Sequence, residues 1–175
     1  MVAMNSRKSW RLKAAALRER IRGLEVRIVG NGPCGAALGR QARDLKLSGT
    51  VTWLGDVSRS RLAAEYAGCD IFCLPSVQEG FGIVLLEAMA AGKPVVGARA
   101  GAIPEVIPHG MLAEPDSSEA LAVAIESLYQ SPGTRVALGR AGAQWVEQFD
   151  APLVARRFLE AATGAVKAPA TYKPA

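Results

Sequence analysis

The sequence alternates apolar runs typical of buried strands with stretches typical of helices, most clearly over residues 70–98. A short apolar run ends at Pro75, and a second one covers Pro94–Ala98. Between them lie a glycine-rich turn and about three helical turns, from Gly82 or Ile83 to Ala91. Strands that alternate with helices indicate a parallel sheet covered on both faces. We therefore predict an α/β fold with a Rossmann-like parallel sheet.

The same alternation extends over most of the 175 residues, which suffice for one sizeable core but not for two full α/β domains. We predict disorder over residues 1–8, one Rossmann-like domain over 9–164 that is truncated at its first strand, and a flexible tail over 165–175. Strands are predicted at 26–29, 50–54, 71–74, 95–98 and 111–113. Helices are predicted at 9–21, 33–46, 58–67, 103–107, 117–129, 132–149 and 151–162.

The turn before the central helix has the properties of an anion-binding site. Gly80 and Gly82 lack a Cβ, so a ligand could approach the backbone closely. The first amides of a helix have no intrahelical partner, and they lie at the positive end of the helix dipole. The amides of Phe81, Gly82, Ile83 and Val84 are therefore candidates to bind a phosphate.

Two glutamates flank this turn, Glu79 before it and Glu87 one helical turn after Ile83. A carboxylate can accept hydrogen bonds from two neighbouring hydroxyls, which suits a ribose or a hexose better than a bare phosphate. The spacing alone is equally compatible with a capped helix that carries two solvated glutamates. Spacing by itself therefore does not decide between a sugar-binding and a structural role.

The sequence around these glutamates resembles the donor-site signature of group 1 glycosyltransferases, which are retaining nucleotide-sugar enzymes of the GT-B fold. The resemblance includes Pro75–Gly82 and the run from Glu87 to Val96, with Val29–Pro33 and Val51–Gly55 in the expected order. It extends from about residue 24 to 116 and covers only the C-terminal, donor-binding half of such an enzyme.

The resemblance implies a role for each part of the site. The diphosphate of a nucleoside-diphosphate sugar, most commonly UDP- or GDP-linked, would bind at Gly82–Val84, and Glu87 would hold the ribose. Glu79, the candidate catalytic residue, would contact the donor sugar together with Gly80, Phe81 and Gly82. Gly30, Gly32, Leu54 and Gly55 would line the donor cleft near the base. No cofactor and no metal are expected.

Two parts of such an enzyme are missing from the sequence pattern. The N-terminal acceptor-binding half is absent, and no strand is predicted before the first helix, which would expose one flank of Val26–Val29. We therefore expect no catalysis without an acceptor-binding partner, fused or separate. The chain could be an excised domain, a subunit of a split enzyme or a degenerate fragment, and a non-catalytic nucleotide-binding module is an alternative function.

A second motif supports a different function. Gly30, Gly32 and Gly35 match the G-x-G-x-x-G dinucleotide fingerprint between a predicted strand and helix, and Asp56 follows the next strand. This pattern predicts an NAD-binding Rossmann domain with Asp56 on the adenosine ribose. It leaves Glu79 and Glu87 unexplained, so the nucleotide-sugar site is the preferred interpretation.

The net charge of +5 is concentrated at the N-terminus. Residues 1–30 contain eight Lys or Arg and two Glu, which gives +6, so the other residues sum to −1. Such a segment could contact an anionic membrane through residues 7–27, although a solvated helix face is the simpler interpretation. No nucleic-acid motif accompanies it. The odd number of cysteines, three without paired spacing, favours reduced thiols, so we expect a cytoplasmic protein, at most peripherally bound to a membrane.

Overall fold

A computed structural model describes residues 2–3 and 13–167, and the packing of side chains over residues 17–163. Its strands are β1 (Val2–Ala3), β2 (Val26–Val29), β3 (Val51–Gly55), β4 (Phe72–Leu74), β5 (Val95–Ala98) and β6 (Met111–Ala113). Its helices are α1 (Lys13–Arg20), α2 (Gly35–Asp44), α3 (Arg59–Gly68), α4 (Ile83–Ala90), α5 (Ile103–Val106), α6 (Ser118–Gln130), α7 (Pro132–Val146) and α8 (Ala151–Lys167). A 3-10 turn (Glu147–Phe149) joins α7 to α8.

The six strands form one sheet in the order β3-β2-β1-β4-β5-β6, and every neighbouring pair is parallel. This order is that of a doubly wound Rossmann sheet, and it confirms the predicted fold class. The direction of winding reverses between β1 and β4. Ligands of such sheets bind outside the carboxyl ends of the strands at this reversal.

The first strand corrects the prediction that no strand precedes the first helix. Val2 pairs with Ile28 of β2 and with Cys73 of β4, and Ala3 pairs with Val29. The carboxyl half of β2 is therefore flanked by β1 rather than exposed. Two residues are too few to form a recognisable strand pattern, because such patterns need about four to eight residues. The rest of the predicted disordered start and residues 9–12 of the predicted first helix lie outside the described residues.

At the other end, helix α8 extends to Lys167, beyond the predicted end of the last helix at residue 162. The rest of the predicted tail, residues 168–175, lies outside the described part of the chain.

The central strands are buried on both faces, as expected of a parallel sheet covered by helices. Phe72 and Leu74 of β4 point to one side, where they pack with Leu85 and Met89 of α4. Cys73, between them in sequence, belongs to the cluster on the opposite side, which α1 and α6 cover. Side chains of consecutive strand residues alternate between the two faces, so one short strand contributes to both cores.

Three arginines of the basic N-terminal segment make intramolecular contacts. Arg18 donates to the carbonyl of Lys46 at 2.7 Å, and Arg20 forms ion pairs with Glu119 and Glu126 at 3.1 and 3.2 Å. Arg27 binds Glu65. These three charges therefore hold elements of the domain together. Within the described ranges, no helix has both the length and the apolar character needed to cross a membrane.

Candidate functional site

The candidate site lies at the edge of the sheet where the strands end. Because all six strands are parallel, the loops that follow them meet at this edge. The loop after β4 contains residues 75–82 and stands beside the reversal point between β1 and β4. The structure thus places the predicted glycine turn where the topology favours a ligand.

Gly82 is the residue that joins this loop to α4. It is the N-cap of α4 and adopts the left-handed conformation, with φ 77° and ψ 47°. A Cβ at this position would lie 2.9 Å from Cδ1 of Leu85, a fully buried residue of the core. Glycine is therefore required both by the backbone conformation and by the packing behind it.

The residues around the start of α4 differ in exposure. Phe81 and Ile83 are 45% and 63% exposed, whereas Gly82 between them is buried. Phe81 packs on its other side against Phe149, with ring centroids 5.7 Å apart. An anion at this helix start would meet unpaired amides and the positive end of the helix dipole.

Glu87 is exposed on α4, and its carboxylate has a protein partner. The hydroxyl of Tyr66, on α3, donates a hydrogen bond of 2.8 Å to Oε2 of Glu87. Burial of Tyr66, and next the carboxylate of Glu87, raise the pKa of this phenol far above its ordinary value. Tyr66 is therefore protonated at neutral pH and acts as a donor to Glu87.

Glu79 is half-buried, and its backbone is supported from the loop after β5. Gly101 in that loop has φ 54°, and a Cβ built on it would lie 3.1 Å from the carbonyl oxygen of Glu79. Sequence reasoning missed both Gly101 and Tyr66 as parts of the site. A glycine soon after a strand was a usable signal for Gly101, whereas no local signal pointed to Tyr66.

An open cleft of about 1130 Å³ lies beside the glycine turn. The predicted residues Gly30, Gly32 and Gly55 line it, and the amide of Gly30 donates to the carbonyl of Gly55 at 2.8 Å. The cleft is also lined by residues 76–78, which lead directly into Glu79. Leu54 and residues 79–87 do not line this cleft. The predicted site residues thus form two adjoining groups that meet at residues 76–78.

The structure forms the local elements of the dinucleotide fingerprint but places them away from the reversal point. The motif follows β2, one strand away from the reversal between β1 and β4 where a dinucleotide fingerprint belongs. The carboxylate of Asp56 accepts a hydrogen bond of 2.8 Å from Asn31, within the motif itself. The position of this motif in the sheet therefore disfavours NAD binding.

The histidine of the sequence, His109, and two of its three cysteines do not line this cleft, whereas Cys34 does. His109 precedes β6, which places it at the opposite edge of the sheet, where its ring packs on Trp145. Cys34 and Cys69 are half-buried, and Cys73 is buried. Over residues 2–3 and 13–167, no group of three or more His, Cys, Asp or Glu side chains is placed to hold a metal ion.

Comparison with known proteins identifies the family of this chain. The family model described as "Glycosyl transferases group 1" matches residues 11–145. This chain belongs to the group 1 glycosyltransferases. A curated relative in the family, the GDP-mannose-dependent alpha-(1-6)-phosphatidylinositol monomannoside mannosyltransferase of Mycobacterium tuberculosis, is 36% identical over 141 residues. That alignment covers 75% of this chain and 37% of the relative.

Solved structures show which part of a group 1 glycosyltransferase the chain represents. The Anabaena protein Alr3699/HepE in complex with UDP is similar with a TM-score of 0.81 and 27% identity, over 93% of this chain and 48% of that one. The C-terminal domain of a group 1 family protein from Francisella tularensis, at 24% identity, shares the fold with a TM-score of 0.72. That alignment covers 84% of both chains. The chain thus spans about half of the larger neighbour and corresponds to the C-terminal half of a GT-B enzyme.

Proposed function

We propose that this domain binds the nucleoside-diphosphate sugar of a retaining glycosyltransferase at the carboxyl edge of its sheet. The observation that carries the proposal is the left-handed Gly82 at the start of α4, which begins the helix between Glu79 and Glu87 at the carboxyl edge of the sheet. The relatives support it, because one is named as GDP-mannose-dependent and a structural neighbour was crystallised with UDP.

In this proposal the diphosphate lies at the amides of Gly82, Ile83 and Val84. The helix dipole and the unpaired amides favour an anion there. As the bond between sugar and diphosphate breaks, negative charge develops on the leaving phosphate oxygen. Amides aimed at that oxygen stabilise the transition state more than the bound substrate.

The two glutamates contact the sugars on either side of the diphosphate. Glu87 accepts hydrogen bonds from the ribose hydroxyls, and Glu79 contacts the transferred sugar together with the backbone of Gly80 and Phe81. The base lies toward Gly30, Gly32 and Gly55 in the cleft, where backbone groups recognise it. Both UDP and GDP suit this arrangement, since the named relatives include a user of each nucleotide.

Transfer itself requires the acceptor, and we propose that an N-terminal acceptor-binding half, fused or separate, completes the enzyme. The chain covers 37% of the mycobacterial relative and 48% of the Anabaena neighbour, so more than half of each of those proteins has no counterpart here. With only the donor-binding half present, we expect binding of the nucleotide sugar without transfer.

A calorimetric titration of the chain with UDP, GDP, ADP and NAD tests the proposal. We expect one nucleoside diphosphate to bind in preference to NAD. Binding of NAD alone would instead support the fingerprint at Gly30, Gly32 and Gly35. Failure of all four to bind would contradict a donor site in this chain.

Replacement of Glu87, the proposed acceptor for the ribose hydroxyls, tests the site more specifically. Glu87→Ala should weaken binding of the preferred nucleoside diphosphate by about 1–3 kcal/mol, because the ribose hydroxyls lose their acceptor. Glu160→Ala, which removes an exposed carboxylate of α8, is the matched control and should bind as the parent chain does. Equal affinity of the Glu87 variant and the parent would place the ribose elsewhere.

A further inference from the structure

We propose that Tyr66 is a positioning residue that holds the carboxylate of Glu87 for the ribose hydroxyls of the bound nucleotide. The inference rests on the proposed function and deepens it, because it assigns a role in ribose recognition to a buried side chain of a different helix. Tyr66 touches no part of the nucleotide in this proposal and acts only through Glu87.

The contact between the two side chains is direct and specific. The Tyr66 hydroxyl lies 2.8 Å from Oε2 of Glu87 and 3.4 Å from the carbonyl oxygen of Val84, one turn earlier on α4. The tyrosine therefore reaches from α3 to the side of α4 on which Glu87 stands. A hydrogen bond to a carboxylate is stronger than one between neutral groups, so Oε2 is the better partner of the two.

The aromatic ring gives this donor a fixed position. Tyr66 is only 5% exposed and packs in the same core cluster as Leu85 and Met89 of α4. Its ring also lies against that of Phe72, with centroids 5.6 Å apart. A close-packed ring has few alternative rotamers, so its hydroxyl marks a defined point next to an otherwise solvent-exposed glutamate.

This arrangement leaves acceptor capacity for a ligand. An ionised carboxylate offers about four lone-pair sites on its two oxygens, and the tyrosine uses one of those on Oε2. Oε1 and the remaining lone pair of Oε2 stay available for two neighbouring hydroxyls. A glutamate held in one orientation before binding loses less rotamer freedom when the ribose arrives.

A purely structural role for Tyr66 makes a different prediction. If the hydroxyl only donates to the nearest acceptor so that it is not buried without a hydrogen bond, its removal affects folding. It then does not change the relative affinity for nucleotides with and without ribose hydroxyls. If it positions Glu87, its removal affects ligands that have ribose hydroxyls and spares ligands that lack them. The two roles therefore separate in a comparison of a nucleoside diphosphate with its 2′,3′-dideoxy analogue.

The experiment is calorimetric titration of the parent chain and of Tyr66→Phe with UDP or GDP, whichever binds, and with the matching 2′,3′-dideoxynucleoside diphosphate. Phenylalanine keeps the ring in the core and removes only the hydroxyl. We expect Tyr66→Phe to bind the ribonucleotide roughly 5- to 10-fold more weakly, because a Glu87 side chain that is not held in place loses rotamer freedom when the ribose binds, and to bind the dideoxy analogue as the parent does. Tyr129→Phe, at an exposed tyrosine of α6, should change neither affinity.

A second set of variants shows whether the effect passes through Glu87. In a Glu87→Ala background, Tyr66→Phe should cause no further loss of ribonucleotide affinity, because the group it positions is gone. Thermal unfolding of each variant ensures that all titrations are made on folded protein. An equal loss for both ligands, no loss at all, or an additive loss in the double variant would overturn the role of Tyr66 while the donor site stands. Failure of the parent chain to bind any nucleoside diphosphate would overturn the donor site and this role together.

Discussion

Two glycines determine the backbone geometry of the site through their own conformation and their close neighbours. Gly82 and Gly101 both have positive φ, at 77° and 54°. Each also stands where a Cβ would press on a neighbour, Leu85 for Gly82 and the carbonyl of Glu79 for Gly101. Side chains at these positions would therefore press on Leu85 in the core or on the backbone of Glu79.

The contact of Gly101 with Glu79 gives the first prediction. Gly101→Ala should lower the free energy of unfolding by about 1–2 kcal/mol because of its left-handed backbone, and it should also weaken nucleotide-sugar binding by displacing Glu79. Gly23→Ala is the matched control, since Gly23 has φ 74° and open space around its Cβ position. Titration and thermal unfolding of both variants should show similar destabilisation but weaker binding only for Gly101→Ala. Unchanged binding in Gly101→Ala would contradict the proposed contact of Glu79 with the donor sugar.

At the scale of elements, the start of α4 and the ion-pair link between α3 and β2 position the residues of the site. The helix begins directly after the left-handed Gly82, so its first amides lie at the carboxyl edge of the sheet. Helix α3 is tied to β2 by Glu65, whose carboxylate accepts from Nε and Nη2 of Arg27 at 2.6 and 2.7 Å and pairs with Arg61 at 2.8 Å. Because α3 also carries Tyr66, this link helps to place the donor to Glu87.

The helix start gives a prediction on stability. Gly82→Ala should lower the free energy of unfolding by about 2–4 kcal/mol, which combines the left-handed backbone with the close approach to Leu85. A Cβ at Gly80, two residues away, would have no atom within 4 Å, so Gly80→Ala should change the free energy of unfolding by less than about 1 kcal/mol. Denaturant unfolding of the two variants measures the difference. Similar stabilities would contradict the left-handed conformation of Gly82.

The α3 link gives a prediction on pH. Chiefly the hydrogen bonds from Arg27 hold the pKa of Glu65 below its ordinary value of 4.5. A carboxylate whose pKa is lower in the folded state stabilises the fold above its unfolded pKa, and this stabilisation is lost as the pH falls from there through the folded pKa. The parent chain should therefore be more stable than Glu65→Gln at neutral pH, and the gap should narrow below about pH 4.5.

Thermal unfolding from about pH 3 to pH 7 measures this gap. Glu160→Gln serves as the control, because Glu160 is exposed and its ion pair with Arg156 is long, at 3.9 Å. Its stability should equal that of the parent chain at every pH. A gap between the parent and Glu65→Gln that stays constant across this range would show that the pKa of Glu65 does not change on folding.

At the scale of the whole molecule, the helix of the proposed site packs against a helix that follows the sheet in the chain. Helix α7 packs on α4, the helix of the proposed site, through two glycines. A Cβ at Gly139 would lie 2.2 Å from the carbonyl oxygen of Gly92, and one at Gly142 would lie 3.0 Å from Cγ of Met89. The close approach of the two helices is therefore possible only without side chains at these positions.

This packing gives the last prediction. Gly139→Ala should lower the free energy of unfolding by about 1–3 kcal/mol, because the backbone around Gly92 must move to admit the methyl group. Gly133→Ala lies in the same helix with nothing within 4 Å of the added atom, and it should be neutral or slightly stabilising. Urea unfolding of the pair tests the contact. Equal midpoints for the two variants would rule out the close approach of α7 to Gly92.

Local sequence patterns were sufficient for most elements of the fold. The strands at Val26–Val29, Val95–Ala98 and Met111–Ala113 have the predicted bounds, and α4 begins at the predicted Ile83. Apolar runs bounded by glycine and proline are local signals, and burial on both faces makes them continuous. β1 escaped prediction because a two-residue strand has no pattern of its own and exists through its pairing with β2 and β4.

For the site, the sequence alone determined which residues stand together along the chain, namely the glycine turn with Glu79 and Glu87. Only the tertiary structure decided which distant residues support them. Tyr66 contacts Glu87 across 21 positions, and Gly101 approaches Glu79 from the loop after another strand. Such contacts depend on how helices and loops meet at the edge of the sheet. They leave no spacing rule in the sequence, because the intervening chain can vary without changing the distance between the two side chains.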